Sequence, residues 1–230
     1  MLDGVELRVP VGARLLLVSE PEASAPLLLG ILAGLMRARR GRFEIAGLRY
    51  ADDSPRGWRR RVAYVPPHGG FYPWLSPLEV LNLAARLAGF GRAERRQRVE
   101  AAIEHFRLGP VLRRAASRGG PGTLQRIGLA AALIGDPEVL LLEDPLRALD
   151  DAERARLLDL PGDRLTVLLS STQPESEDGL VDQVVLLRAG RVALHARRRV
   201  LSERGLPLSM RGILALADGA PAASPTAAGA

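Results

Sequence analysis

The sequence predicts an α/β fold with a mainly parallel sheet. Apolar runs typical of buried strands occur in both halves of the chain, and three-and-four spacing of apolar residues, typical of helices, lies between them. Strands separated by helical stretches imply parallel pairing. The 230 residues, 47% of them hydrophobic, suffice for one or two compact lobes with a real core. The absence of cysteine excludes disulfides, thiolate metal sites and a thiol nucleophile.

The first part of the chain contains several predicted strands. Val5, Leu7 and Val9 alternate with charged residues, which predicts a half-buried strand. Pro26 suits the first position of a helix, so the apolar run that follows it predicts a helix under the sheet. The elements predicted here are strands at residues 5–9, 14–18, 42–45 and 61–65, and a helix at residues 26–35.

Helical spacing and then further strands follow. The predicted helices are residues 78–87, 92–106 and 124–134, and the later strands are residues 139–142, 165–169, 184–187 and 191–194. We expect four regions: an α/β core of residues 1–66 and 137–200, a helical insertion of residues 67–136, a helical or loop extension of residues 201–216, and a tail of residues 217–230. The tail is rich in Ala, Pro, Gly and Ser, so we expect it to be disordered.

Every one of the 32 basic residues is arginine, and the formal net charge is +6. Short arginine clusters occur within residues 37–42, 59–61, 113–114 and 197–199. One interpretation is a surface for nucleic acid or for an anionic membrane. The other, which we favour, is a GC-rich genome that encodes arginine in place of lysine, as the abundance of Ala, Leu and Gly indicates.

Several segments resemble the ATP-binding cassette (ABC) ATPases of transporters. They are LLLGILAGL at residues 27–35, RFEIAG at 42–47, the stretch 59–89 that begins RRRVAYVPP, GDPEVLLLEDPLRALD at 135–150, and the stretch 166–190 that begins TVLLSSTQPES. The middle stretch is most similar to cassettes that serve small ABC-2-type exporters with six-helix membrane partners. The resemblance implies a P-loop NTPase-like parallel core with an inserted helical subdomain that carries a signature loop.

In this family a P-loop of pattern G-x-x-x-x-G-K-[ST] holds phosphates with backbone N–H groups, a lysine and a Mg²⁺-binding hydroxyl. Its place is taken here by residues 19–26, which begin at Ser19. Ser24 stands at the second glycine, Ala25 at the lysine and Pro26 at the hydroxyl. The two prolines of the loop each remove an N–H donor, and its two glutamates place negative charge where polyphosphate would sit. We interpret the segment as a plain strand-to-helix loop that holds no nucleotide.

The resemblance also locates the family's metal and general-base carboxylates, which follow a strand in the order Asp, Glu. Here Glu143 precedes Asp144, and the reversed order shifts both carboxylates by roughly an ångström, enough to cost on the order of a hundredfold in rate. These two and Thr172, which replaces the family's switch histidine, are the only catalytic candidates. We favour a structural interpretation instead, in which Glu143 and Asp144 form ion pairs with nearby arginines. Pro67, next to a surface-loop His68, occupies the position of the family's magnesium-sensing glutamine.

The signature loop of the family, L-S-G-G-Q at a helix start, clasps the γ-phosphate held by the opposite subunit. Its place is taken here by Gly120, Pro121, Gly122 and Thr123, where a glycine replaces the serine and the proline removes a donor. The family's loop that contacts the opposite subunit is matched by Ala148, Leu149 and Asp150. We expect the strand whose aromatic residue stacks on adenine in the family to be absent or severely truncated.

Cassettes of this family pair head to tail, so each nucleotide lies between one P-loop and the partner's signature loop. With both halves altered, neither composite site would be complete. We therefore expect a pseudo-ATPase without cofactor or metal, which scaffolds or regulates a transporter. Its expected partners are an integral membrane permease and either an intact cassette ATPase or a second copy of itself. Its expected location is cytoplasmic, peripheral on the inner face of the cell membrane.

Two alternatives stay open. One is a divergent but active ABC ATPase that powers export with ATP and Mg²⁺. The other is an arginine-rich binder of nucleic acid or of an anionic membrane. We do not expect nucleic acid as a partner, because the arginine clusters lack the interleaved aromatic residues that base stacking uses. No stretch approaches about 18 uninterrupted apolar residues, so no transmembrane helix is predicted.

Overall fold

A computed structural model describes residues 1–45, 47–50, 55–145 and 164–219 of the chain. Its strands are β1 (Arg14–Glu20), β2 (Glu44–Ile45), β3 (Leu48–Arg49), β4 (Val62–Val65), β5 (Val139–Glu143), β6 (Thr166–Ser170), β7 (Gln183–Arg188) and β8 (Arg191–Arg197). Its helices are α1 (Ser24–Leu32), α2 (Pro55–Arg61), α3 (Pro77–Leu87), α4 (Arg92–His105), α5 (Gly120–Leu133), α6 (Arg198–Glu203) and α7 (Met210–Ala217).

Six strands form the main sheet in the order β4-β5-β6-β1-β7-β8. Neighbouring strands are parallel except β7 and β8, which are antiparallel. Strands β2 and β3 form a separate antiparallel hairpin. The carboxyl ends of β1, β4, β5 and β6 therefore lie along one edge of the sheet, where ligands bind in open α/β proteins.

Both faces of the sheet are covered, as a parallel sheet requires. Alternate residues of a strand face opposite sides, and β1 shows the division clearly. Leu16 and Val18 belong to a larger apolar cluster that includes residues of α3, α4, α5 and α7. Leu15 and Leu17 belong to a second cluster with α1 and Trp58. The three leucines are fully buried, so β1 is the central element of the core.

The α/β class with a mainly parallel sheet is confirmed, but the strand predicted at residues 5–9 is wrong. Residues 1–13 form no strand, and Val5, Leu7 and Val9 instead pack against the second apolar cluster. Asp3 holds the segment in place, since its N–H donates to the Gly190 carbonyl and its carboxylate pairs with Arg191 at 2.6 Å. The alternation therefore reports one-sided packing of an extended segment rather than a sheet ladder.

Other predicted boundaries need smaller corrections. Helix α1 begins at Ser24, so Pro26 is its third residue, where a missing N–H still removes no intrahelical hydrogen bond. The strand predicted at residues 42–45 is only the two-residue β2, because a turn follows it at Gly47 with φ of +78°. Helix α2 was not predicted, since its short, arginine-rich sequence carries no apolar period.

The predicted disordered tail begins too early, because Ala217 is the last residue of α7 and Asp218 forms an ion pair with Arg188. The rest of that tail, residues 220–230, and the predicted contact loop Ala148, Leu149 and Asp150 lie outside the described residues. The division of the chain into four regions stays a prediction. In the described part of the chain, no helix has the length and apolar character needed to cross a lipid bilayer.

Helix α5 packs unusually close to the loop that follows β4. A Cβ atom added at Gly128 would lie 2.7 Å from both Cα and O of Gly69. Gly69 itself has φ of +82°, and its own Cβ would lie 2.7 Å from the carbonyl oxygen of Leu124. Backbone therefore meets backbone here, and this contact joins the helices on one face of the sheet to the edge that carries the candidate site.

We predict that Gly128→Ala lowers the free energy of unfolding by about 1–3 kcal/mol, because the methyl group forces backbone apart. This cost outweighs the helix-propensity gain of about 1 kcal/mol that alanine brings. The matched control is Gly135→Ala, whose Cβ would meet nothing closer than 3.9 Å. Urea unfolding checks the pair, and a Gly128→Ala midpoint equal to or above that of the control would contradict the prediction.

Candidate functional site

The loop from β1 to α1 is closed by its own hydrogen bonds. The buried Ser19 hydroxyl donates to the carbonyl oxygen of Glu22 at 2.8 Å and accepts the N–H of Ala25 at 3.0 Å. The N–H of Ser24 donates to the carbonyl of Pro21 at 3.1 Å. The N–H groups of residues 24 and 25 therefore point into the loop itself, and the following residue, Pro26, has none.

The Ser24 hydroxyl and the Glu20 carboxylate are two further polar groups next to this loop, and only the carboxylate has a partner among the described residues. The Ser24 hydroxyl is buried, at 1% exposure, with no hydrogen-bond partner among the described residues. The Glu20 carboxylate accepts from Arg188 at 3.1 Å, and Arg188 also donates to Asp218 at 2.7 Å. The hydrogen bonds to Asp218 and Glu20 raise the pKa of the Arg188 guanidinium. The hydrogen bond between Arg188 and Asp218 also lowers the pKa of the Asp218 carboxyl group. The negative charge of Glu20 is thus offset by a cation of the same chain.

The two strand-end carboxylates, Glu143 and Asp144, have hydroxyl and amide partners. Glu143 accepts the phenol of Tyr64 on the neighbouring β4. Asp144, at a left-handed φ of +45°, accepts the N–H of Thr172 at 2.9 Å and lies 3.3 Å from its hydroxyl. Burial, and then the hydrogen bond to Glu143, raise the pKa of Tyr64. In the described part of the chain the partners of this pair are thus a phenol and a threonine, whereas the sequence had predicted arginines.

The remaining predicted positions lie on the loop after β4 and at the start of α5. Pro67 is half-buried in a turn in which the Gly69 N–H donates to Pro66, and His68 is exposed as expected. Gly120, Pro121, Gly122 and Thr123 form the first turn of α5. The buried Thr123 hydroxyl accepts from Arg126 at 3.3 Å, on the same helix.

Ser19 at the end of β1, Ser24 at the start of α1, and Asp144 and Thr172 after β5 and β6 thus lie at the same edge of the sheet, whereas the signature positions stand on a separate helix. Sequence reasoning missed Tyr64 and Arg188. Tyr64 lies 79 residues from its partner and Arg188 lies 168 from Glu20, so only the fold reveals either contact. In the described part of the chain, no three His, Asp or Glu side chains gather in a way that could hold a metal ion.

Comparison with known proteins gives consistent matches. A family model described as ABC transporter matches residues 2–147. The daunorubicin resistance ATP-binding protein DrrA3 of Streptomyces coeruleorubidus is 32% identical over 83% of this chain and 61% of its own length. The nickel import ATP-binding protein NikO of Rhodobacter capsulatus is 33% identical over 84% of this chain and 81% of its own.

A solved structure of an ATP-binding subunit of an ABC transporter is also similar. It superposes with a TM-score of 0.81 and 26% identity, over 94% of this chain and 92% of that one. The chain spans only 54–61% of the length of three of the curated relatives that it matches.

We predict that Ser19→Ala destabilises the protein by about 1–3 kcal/mol, because it leaves the buried Ala25 N–H without its acceptor. Ser24→Ala is the matched control, since it removes a buried hydroxyl that has no hydrogen-bond partner among the described residues, and we expect it to be neutral or slightly stabilising. Thermal unfolding of the two variants beside the parent checks this. Equal losses in both would mean that the Ser19 hydroxyl does not hold the loop closed.

Proposed function

The chain belongs to the ABC transporter family, and from that membership we propose that it is a non-catalytic cassette subunit of a membrane transporter complex. In this role it scaffolds or regulates the complex by pairing with an intact cassette ATPase or a second copy of itself. It docks on an integral membrane permease and so resides at the inner face of the membrane. The chain spans only about three fifths of the length of two of these relatives, so the partners named here are part of the proposal.

The observation that carries the proposal is the closed loop between β1 and α1. A phosphate-binding loop offers consecutive backbone N–H groups, a cation and a metal-binding hydroxyl to its ligand. In this chain the N–H groups of Ser24 and Ala25 bind the loop itself. Ala25 supplies no cation and Pro26 no hydroxyl. These residues do not fit a magnesium–nucleotide complex, which supports a subunit that holds none.

The carboxylates at the end of β5 support the same conclusion. Glu143 and Asp144 receive hydrogen bonds from Tyr64 and Thr172 of the same chain. A metal ion would have to compete with these donors for the carboxylate oxygens, and the third ligand that a P-loop hydroxyl supplies is missing at Pro26. The two carboxylates therefore serve to fasten β5 to its neighbours β4 and β6.

One observation favours the alternative of a divergent, active ATPase. The relatives are named ATP-binding proteins, among them DrrA3 and NikO, and two acidic residues persist where the family places its metal and base. Nucleotide binding distinguishes the two candidates directly, because an active enzyme must bind MgATP whereas the proposed subunit does not.

We predict no saturable binding of a fluorescent ATP analogue by the purified chain up to about 1 mM, with or without Mg²⁺. An intact cassette of the same family, prepared identically, serves as the positive control. Ala25→Lys should not restore binding, because the N–H groups of the loop stay engaged by Ser19 and Pro21. Magnesium-dependent binding with a micromolar Kd, and turnover lost in Glu143→Gln or Asp144→Asn, would establish the active ATPase instead.

The subunit role makes a separate prediction. An affinity-tagged chain, isolated in mild detergent from its native membranes, should carry a permease and either an intact cassette subunit or an untagged copy of itself in fixed proportion. Pairing within the complex can be checked by mass photometry of the eluted material. Recovery of the chain as a free monomer from cells that express the candidate permease would contradict this role while leaving the nucleotide result untouched.

A further inference from the structure

A basic loop projects from the end of α1. We call residues 35–42 the arginine loop; its cations are Arg37, Arg39, Arg40 and Arg42. Every residue of this loop is exposed, with Leu35 at 65% and Met36 at 44%. A glycine-capped turn sets its direction: Gly34 has φ of +73°, its N–H donates to the carbonyl of Ile31, and that of Leu35 donates to Gly30, both at 2.9 Å.

Packing gathers further arginines beside this loop. Phe43, Tyr50 and Trp58 form an aromatic triangle, with ring centroids 4.6 to 5.4 Å apart. The Trp58 indole N–H donates to the Leu32 carbonyl at 3.1 Å, which fixes the triangle to the end of α1. Because Arg59 and Arg60 directly follow Trp58 and both are exposed, the last turn of α2 adds two cations to the same region.

These six arginines differ from those that form ion pairs. Arg98, Arg188, Arg191 and Arg198 each pair with a carboxylate at 2.6–3.1 Å. Within residues 1–45, 47–50, 55–145 and 164–219, the arginines of the loop and Arg59 and Arg60 show no such pair. The nearby Glu44 is engaged by Arg49 at 3.7 Å. The region therefore presents concentrated positive charge to an outside partner.

The chemistry of the region favours a lipid surface over nucleic acid. Single-stranded nucleic acid stacks its bases on exposed aromatic faces, but the three rings of the triangle pack against one another. Exposed aromatic rings in the described part of the chain are Tyr72 and Trp74, which stack on each other in a different loop. An anionic bilayer instead attracts clustered arginines and accepts neighbouring apolar side chains such as Leu35 at its interface.

We propose that the arginine loop, with Arg59 and Arg60, binds the anionic phospholipid headgroups of a membrane surface. The exposed Arg39 and Arg40 contact the headgroups, and Leu35 enters the interface beside them. The contact orients the protein on the membrane independently of any permease. It does not require nucleotide, so its failure and the failure of the cassette-subunit proposal are separate results.

The experiment is vesicle co-sedimentation of the full chain. We expect binding to phosphatidylcholine vesicles that contain about 30% phosphatidylglycerol, no binding to pure phosphatidylcholine, and a steep loss of binding as salt rises toward about 1 M. Each arginine near such a surface contributes a factor of about five in affinity, so Arg39→Glu with Arg40→Glu should weaken binding at least about thirtyfold. Leu35→Ser should abolish the binding that persists at high salt.

The matched control is Arg204→Glu with Arg211→Glu, which makes the same change in net charge at two exposed arginines near the C-terminal helices. It should leave vesicle binding within about threefold of the parent, because screening confines the effect to nearby charges. Thermal unfolding confirms that each variant is folded; if the glutamate pair is not, Arg39→Gln with Arg40→Gln replaces it, with a loss of about thirtyfold expected.

Four results would overturn the proposal. The first is an equal loss of vesicle binding in the two double variants, and the second is binding to pure phosphatidylcholine as tight as to the anionic vesicles. The third is a loss of vesicle binding in Trp74→Ser with no loss in the arginine-loop variant. The fourth is tighter binding of duplex or single-stranded DNA than of the anionic vesicles at the same salt concentration. The last would assign the surface to nucleic acid.

Discussion

The hydroxyl of Ser19 closes the turn between the central strand and the first helix, and the character of the candidate site depends on that closure. The group lies at the end of β1, where a buried strand must pass into a helix over few residues. It satisfies a carbonyl and an N–H that would otherwise be buried without partners. A ligand that takes backbone N–H groups would first have to break these bonds. The same hydrogen bonds that stabilise the loop therefore oppose phosphate binding.

The charged groups near this turn are likewise bound by other groups of the same chain. Glu20 would repel an anion at this edge, yet it lies against Arg188, which also binds Asp218 at the end of α7. Both ion pairs are exposed to solvent, so each contributes little to stability by itself. Their effect is geometric: they tie the β1 loop to the C-terminal helix. Tyr64 with Glu143, and Thr172 with Asp144, join β4, β5 and β6 in the same manner.

Local pattern predicts those parts of the structure that local forces determine. Continuous apolar runs located β1, β5, β6 and β7, because strands buried on both faces are rich in apolar residues at consecutive positions. The alternation at Val5, Leu7 and Val9 led to a wrong strand prediction. An extended segment that packs on one side and a strand with one exposed face produce the same pattern. At the site, the altered P-loop positions could be read from spacing. The closing role of Ser19 could not, because it depends on a turn geometry that spacing does not specify.

Arginine content illustrates where composition stops explaining structure. A GC-rich genome accounts for arginine in place of lysine throughout the chain, but it does not determine which arginines receive carboxylate partners. Arg98, Arg188 and Arg198 have them, while the loop after α1 combines four arginines with two exposed apolar residues after a glycine-capped helix end. Folding stability gains nothing from such a cluster, since like charges repel. This cluster and the loop closed to phosphate lie at opposite ends of α1, and together they fit a subunit that is positioned on a membrane rather than one that turns over nucleotide.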